Sequence, residues 1–160
     1  MVVGEKIILA GVDGCGKSTL ARKIQEDFAS QGKVYEIVHS TADTRNNLTY
    51  FMGLLEDERN IIFDRFYVDQ FVYQTSETRK EKDWLTLSDL VVVENKINQL
   101  GCKCMLVDTD LDLCLVNCLK DSNDSHYSLD YIEQLYNRYW HFIEYISSVD
   151  WLVYKNVWGD

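Results

Sequence analysis

An α/β fold, with a five-stranded and mostly parallel sheet covered by helices on both faces, is what this chain of 160 residues predicts. Two observations carry the prediction. Short apolar, β-branched runs alternate with segments whose apolar residues recur at helical spacing, and crossover helices make successive strands parallel. The first strand-like run also leads through a glycine-rich loop into the first helix, a connection that presents backbone N–H groups to an anion.

The elements follow in order. Lys6 to Ala10 reads as a buried strand, and Lys17 to Gln31 as a helix with Leu20, Ile24 and Phe28 on one stripe and Gly32 near its end. Val34 to His39 alternates as a second strand, Asn47 to Arg59 is a helix through Leu48, Phe51, Met52 and Leu55, and Ile61-Ile62-Phe63 is a third strand. A helix from Val68 to Ser76 leads to the charged loop Glu77 to Lys82. Leu87, Leu90, Val91, Glu94 and Ile97 then mark a helix that stops before Gly101. Cys104 to Val107 gives a fourth strand and Leu111 to Leu119 a helix, and the polar stretch 120–127 that follows is a candidate lid. Ser128 is placed to cap a long helix through Ile132, Leu135, Tyr139, Phe142 and Ile146, after which Trp151 to Val157 makes the fifth strand.

Composition narrows the class. The length suits one domain spanning 1–160, and a hydrophobic content of 46% is ample for one core. The formal charge of −10 argues against binding nucleic acid or an anionic membrane surface, because sequence-independent affinity for either rests on clustered Lys and Arg. Gly4, Glu5 and Lys6 come too early for a signal peptide, and no apolar run approaches the roughly 18 residues that span a bilayer. A cytoplasmic protein is expected. Cys15, Cys102, Cys104, Cys114 and Cys118 are odd in number and form no disulfide framework. The last four fall within apolar strand and helix patterns and read as reduced core residues. The series Tyr131, Tyr136, Tyr139, Trp140 and Tyr145 reads as helix packing before base stacking, and Phe51 as a core aromatic.

The chemistry concentrates in Gly11-Val12-Asp13-Gly14-Cys15-Gly16-Lys17-Ser18-Thr19, which matches the phosphate-binding pattern GxxxxGK(S/T) between a strand and a helix. The glycines let the backbone turn so that N–H groups point at phosphate oxygens, and the helix adds its positive N-terminal end. Lys17 reaches the β- and γ-phosphates, and Ser18 offers a hydroxyl to Mg²⁺. Oxidation of Cys15, inside the loop, would set bulk or charge against the phosphates, although a small residue tolerated at a variable position is the commoner case. A second constellation, Asp64-Arg65-Phe66 followed by Asp69-Gln70 and Tyr73-Gln74, emerges at the carboxyl end of the third strand, the edge where such sheets bind ligands.

Together these segments resemble the thymidylate kinase family, whose loop commonly reads DGxGKST and whose third strand ends in Asp-Arg-aromatic followed by Ala-Tyr-Gln. Here that triplet is Val72-Tyr73-Gln74, and Met105 to Asp110 resembles the family's Leu-Leu-Asp-Val-Asp strand end. Tyr131 to Tyr145 resembles its penultimate helix. The resemblance implies a three-layer P-loop NTPase fold with sheet order 2-3-1-4-5, and ATP as donor with Mg²⁺ as cofactor. It implies that Asp13 acts near the acceptor's phosphate and sugar, that Arg65 clamps the acceptor phosphate, and that Asp64 serves Mg²⁺ with Ser18. Lys17, Asp13 and Arg65 would be the catalytic set, while Gln70, Tyr73, Gln74 and Arg45 would join Arg65 around the acceptor. A homodimer through helix faces is also implied.

Three departures qualify the match. The family places an arginine in the phosphate loop or the lid, whereas Val12 to Cys15 hold none and 120–127 offers only Lys120; Arg22, Arg79 and Arg138 are the candidate substitutes. Such an arginine is worth about 10³–10⁵ in rate in related phosphate chemistry. The segment Ser40 to Asn60 is shorter than its counterpart, which leaves the base open. Asp69 stands where the family has a small residue, an added negative charge near the acceptor that favours a nucleoside. The leading expectation is phosphoryl transfer from ATP to a nucleoside monophosphate of the thymidylate type. The alternatives are a deoxynucleoside kinase and, from another class, a nucleotide-binding regulatory protein with little turnover. GTPase switching is disfavoured, since Glu94 to Gln99 lacks the Asp of an NKxD base-specifying segment and lies inside a helical pattern.

Overall fold

The protein is represented by a computed structural model that describes residues 2–40, 47–73, 85–121 and 128–156. Strand β1 (Lys6–Ala10) is buried along its whole length and occupies the middle of the sheet. Side chains of a strand alternate between faces, so burial of both Ile7 and Leu9 on one side and Ile8 and Ala10 on the other means that both faces are covered. β3 (Asn60–Asp64) and β4 (Lys103–Asp108) flank it, with β2 (Tyr35–Val38) and β5 (Leu152–Lys155) at the edges. The order β2-β3-β1-β4-β5 is the one implied by sequence, and every pairing is parallel.

The helices are α1 (Lys17–Ser30), α2 (Leu48–Leu55), α3 (Tyr67–Tyr73), α4 (Leu87–Leu100), α5 (Leu111–Asp121) and α6 (Leu129–His141). Their starts are set by side chains that accept otherwise unpaired N–H groups. Asn47 accepts from the Tyr50 N–H and Ser128 from the Tyr131 N–H, each at 3.1 Å, and Thr86 forms a reciprocal capping box with Asp89. Among the described residues no helix is long and apolar enough to cross a membrane.

Two helix ends differ from the sequence reading by more than two residues. α2 ends at Leu55 instead of Arg59. The Asp57 carboxylate accepts the Arg59 N–H at 2.8 Å and its guanidinium at 2.9 Å, which folds the chain into a tight turn. The freed carbonyls of Asp57 and Arg59, with that of Gly4, accept from the buried Lys6 ammonium at 2.7 to 2.8 Å. Burial lowers the Lys6 pKa, and these carbonyls satisfy its donors. The last long helix is likewise interrupted: α6 stops at His141 and a π-helical turn, Phe142–Ile146, follows.

Packing around the sheet is aromatic. Phe63 stacks on Phe66 with centroids 3.9 Å apart, and Phe51, fully buried, meets Phe66 edge-on at 5.0 Å. On α6 Tyr139 is buried, Tyr131, Tyr136 and Trp140 are half-buried against the core, and Tyr145 in the π-helical turn is exposed. All five cysteines are free thiols. Cys104, Cys114 and Cys118 lie in the core, and burial pushes the Cys114 thiol up to about 12.

One buried carboxylate ties the far side together. Glu94 of α4 accepts from Tyr67 Oη at 2.7 Å, from Ser147 Oγ at 2.5 Å, and from the Ser148 N–H at 2.8 Å. It thereby joins α3, α4 and the segment leading to β5. Replacing Glu94 by Ala leaves these buried donors without an acceptor and is expected to cost roughly 3 kcal/mol. Glu94→Gln, which keeps an acceptor oxygen, is expected to lose less; chemical denaturation of both variants checks the order.

Candidate functional site

The carboxyl ends of the strands meet at one edge, and register decides which residues share it. Leu9 pairs with Asp64 and Ala10 with Leu106, so the loop after β1, the Asp64-Arg65 step and the end of β4 emerge side by side. Val38 pairs with Phe63, which sets His39 next to Asp64.

The loop itself is a tight turn closed by the Cys15 N–H donating to the Val12 carbonyl at 3.2 Å. Gly14 has φ +79° and sits so close to the Cys114 carbonyl that a Cβ would collide with it. Gly16, at φ +94°, is the N-cap of α1, and a glycine carries no side chain to occupy the first-turn N–H groups. Lys17 is buried, and its ammonium donates to the carbonyls of Gly11 and Val12, the latter at 3.2 Å. Burial alone would lower its pKa, but the surroundings of Cys15, Asp69 and Asp64 outweigh desolvation and hold the ammonium above the usual lysine range. Cys15 is fully buried, and desolvation raises its thiol pKa. A protonated, enclosed thiol is a poor target for oxidation, which agrees with reading Cys15 as a small packed residue of the loop.

Asp64 is the floor of the site. Its Oδ2 accepts from Ser18 Oγ at 2.5 Å and lies 3.4 Å from His39 Nδ1. Desolvation would raise its pKa, yet hydrogen bonds from His39 and Ser18 and the charge of Lys17 hold the carboxyl below its ordinary value. The hydrogen bond to Asp64 in turn raises the pKa of His39. Next in sequence, Arg65 is the one described non-glycine residue with positive φ, at +90°. Its guanidinium pairs with the Asp13 carboxylate and lies 5.6 Å from the Tyr73 ring centroid. A non-glycine residue held there costs on the order of 1–3 kcal/mol, strain that clusters at functional sites.

A cleft of about 380 Å³ is bordered by residues 13–19, His39, Asp64 and Arg65, and on its other side by Leu113, Val116, Asn117 and Lys120 of α5. Lys17, Asp13, Arg65, Ser18 and Asp64, all expected from sequence, therefore share one space. Gln70 is buried in α3, and neither it nor Tyr73 borders this cleft. Arg45, Gln74, Arg79 and 122–127 of the candidate lid lie outside the described residues.

Asp69 corrects the sequence reading. It is buried, accepting the Phe66 N–H at 2.9 Å on one oxygen and the Tyr139 hydroxyl on the other. The carboxylate closes the start of α3 and fastens α3 to α6, so it is a structural group and not an acceptor-facing charge. Arg138 also turns away, donating to the Val72 carbonyl at 3.5 Å, whereas Arg22 is 3.4 Å from Thr19 Oγ1 at the mouth. Among the described residues the lysines and arginines bordering the cleft are Lys17, Arg65 and Lys120.

No family model matches the chain. By sequence it is similar to the SPbeta prophage-derived uncharacterized protein YorR of Bacillus subtilis strain 168, 35% identical over 96 residues, and to a probable thymidylate kinase of Methanosarcina acetivorans, 48% identical over 46 residues. These matches take in 57% and 29% of this chain, and 54% and 21% of the relatives' own lengths. Among solved structures it is similar to the Bacillus subtilis YorR protein in complex with phosphorylated GDP, with TM-score 0.75 and 22% identity over 94% of this chain and 85% of that one. Polyphosphate kinase 2 from Arthrobacter aurescens TC1 gives TM-score 0.64 and 16% identity over 96% and 61%. The chain shares the fold of these proteins, an α/β arrangement with strand order 2-3-1-4-5 and a glycine-rich loop between the first strand and the first helix.

His39, Asn117 and Asn156 were not singled out by sequence. His39 has a legible signal, the last alternating position of the second strand; Asn156 has none. The raised His39 pKa makes a signed prediction. The His39–Asp64 pair contributes its full stability below pH 6.5 and loses it as pH rises through the higher folded-state value. The ligand-free protein should lose thermal stability over that interval, and His39→Gln should flatten that part of the curve; melting scans from pH 6 upward measure it.

Proposed function

We propose that this chain is an ATP- and Mg²⁺-dependent nucleotide kinase acting on a nucleoside monophosphate of the thymidylate type. The observation that carries the reading is the meeting, in one cleft, of two devices for anions: the Gly11–Thr19 loop with Lys17, and Arg65 fixed by Asp13. Phosphoryl transfer needs two anionic groups held in line while N–H donors and cations meet the charge on the moving group. The short match to a probable thymidylate kinase supports the choice of acceptor.

The residues present fit Mg²⁺. Ser18 Oγ and Asp64 Oδ2, a hydroxyl and a carboxylate 2.5 Å apart, are hard oxygen donors, and Mg²⁺ takes one or two protein ligands with phosphates and water completing its shell. When bound, the ion supplies positive charge to the β- and γ-phosphate oxygens. Lys17 and the loop N–H groups hold the donor, Arg65 holds the acceptor, and Asp13 fixes the guanidinium. Lys120, on the opposite wall, supplies the cation that the missing arginine leaves wanting.

One observation favours a second acceptor. Asp13 already meets the charge of Arg65, which lessens its pull on an acceptor phosphate and suits a deoxynucleoside. A panel of nucleosides and monophosphates with labelled ATP and Mg²⁺ separates the two, and guanine compounds belong in it because the solved YorR complex holds phosphorylated GDP. Label in monophosphates supports the first reading, and label in nucleosides alone supports the second. Tight ATP binding without transfer to any acceptor points to a nucleotide-binding regulatory protein.

Two substitutions test the roles. Lys17→Ala is expected to reduce turnover roughly 10²–10³-fold, the scale of losing one charge-stabilising donor. Retention of full rate and donor affinity would mean that the loop is misassigned. Arg65→Ala is expected to raise acceptor KM about 10–100-fold, as for a charge-assisted hydrogen bond, with donor affinity preserved; equal loss of both would mark a purely structural ion pair.

A further inference from the structure

Two asparagine amides, from separate elements, grip successive carbonyls of the phosphate loop. Asn117 Nδ2 on α5 donates to the Gly14 carbonyl at 3.0 Å. Asn156 Nδ2, just beyond β5, donates to the Cys15 carbonyl at 2.9 Å. Neither residue belongs to the loop, and they stand 103 and 141 positions from the carbonyls they hold. Asn156 is itself buried and fixed: its N–H donates to the Asp108 carbonyl at 2.7 Å, and its carbonyl accepts from Thr109 Oγ1 at 2.5 Å.

The peptide bond is planar and trans, so its C=O and N–H point in opposite directions, and no cis bond occurs here. Holding the Cys15 carbonyl towards Asn156 therefore turns the Gly16 N–H away from it. Gly16 borders the cleft. Holding the Gly14 carbonyl towards Asn117 fixes the peptide that also carries the Cys15 N–H, which closes the turn on Val12. A loop whose carbonyls lie so close to its ligand space needs such restraint, because a peptide flip would aim an oxygen at the phosphate in place of a donor.

We infer that Asn117 and Asn156 are positioning residues that preset the phosphate loop for anion capture by pinning the Gly14 and Cys15 carbonyls in place. The inference rests on the loop being the phosphate site of the function proposed above. It makes the loop's readiness depend on α5 and on the segment just beyond β5, both distant from the loop in sequence.

The test uses the full chain, Mg²⁺ and inorganic tripolyphosphate, a probe that carries the phosphate tail without a base. Calorimetry should find Asn117→Leu and Asn156→Leu about threefold to tenfold weaker than the parent, the worth of one net hydrogen bond each. Asn156→Asp, similar in shape but with no N–H to give, should lose at least as much. Amide exchange at Cys15 and Gly16 in the ligand-free variants should quicken, while exchange in β1 and β3 stays unchanged. A merely structural role predicts instead a general loss of protection with affinity intact in the folded fraction.

Parent-like affinity in folded Asn117→Leu and Asn156→Asp overturns the inference while leaving the kinase reading standing. Absence of tripolyphosphate and ATP binding by the parent chain overturns both. Should Asn156→Leu not fold, Asn156→Asp and the half-exposed Asn117 position still decide the matter.

Discussion

Lys17 carries a positive charge into a place almost closed to water, 5% exposed, and much of the site exists to make that tolerable. Taking an ammonium out of water costs several kcal/mol unless opposite charge and acceptors meet it. The carbonyls of Gly11 and Val12 accept its hydrogen bonds, and Asp64 and Asp69 provide the field. Each of those carboxylates must in turn be satisfied. Asp64 accepts from Ser18 and faces His39, while Asp69 takes the Phe66 N–H and the Tyr139 hydroxyl. One buried cation is thus linked to the ends of β2 and β3, the start of α3 and the last turn of α6. Parallel register is what lets them converge, since Leu9 lies opposite Asp64 and Val38 opposite Phe63.

Arg65 shows what that convergence makes available. A long cationic side chain directly after an apolar strand would ordinarily turn to solvent, and its backbone would avoid positive φ. Here both tendencies are overridden, with the guanidinium held between Asp13 and the Tyr73 ring and the carbonyl accepting the Ser40 N–H at 3.3 Å. The guanidinium is held in place by the protein's own groups, and on the proposed reading this reduces the ordering that acceptor binding requires.

Much of this was legible in the chain. The five apolar runs, the helix stripes and the Ser128 cap follow from period and propensity, and GxxxxGKS places Lys17 and Ser18 without any knowledge of packing. Asp64-Arg65 was legible because it follows a run as apolar as Ile61-Ile62-Phe63. What escaped depends on who meets whom. Asp69 looked like an active-site charge because nothing near it in sequence announces Tyr139 as its partner, and Asn156 became visible only once β5 lay beside β4. The overlong reading of α2 has the same origin: the turn at Asp57 is stabilised by Lys6, far earlier in the chain.

The acidity of the chain and the chemistry of the cleft are compatible because they act over different distances. A formal charge of −10 opposes the approach of another anion from afar, but at physiological ionic strength that field is screened within about 8 Å. Inside the cleft the relevant quantities are the N–H groups at the start of α1, the Lys17 ammonium and the Arg65 guanidinium. These act at hydrogen-bond distance and in a setting partly shut off from water, where each is worth more than on an open surface. Net charge therefore works against extended polyanions, which need many surface cations at once, without working equally against a compact phosphate group in the cleft.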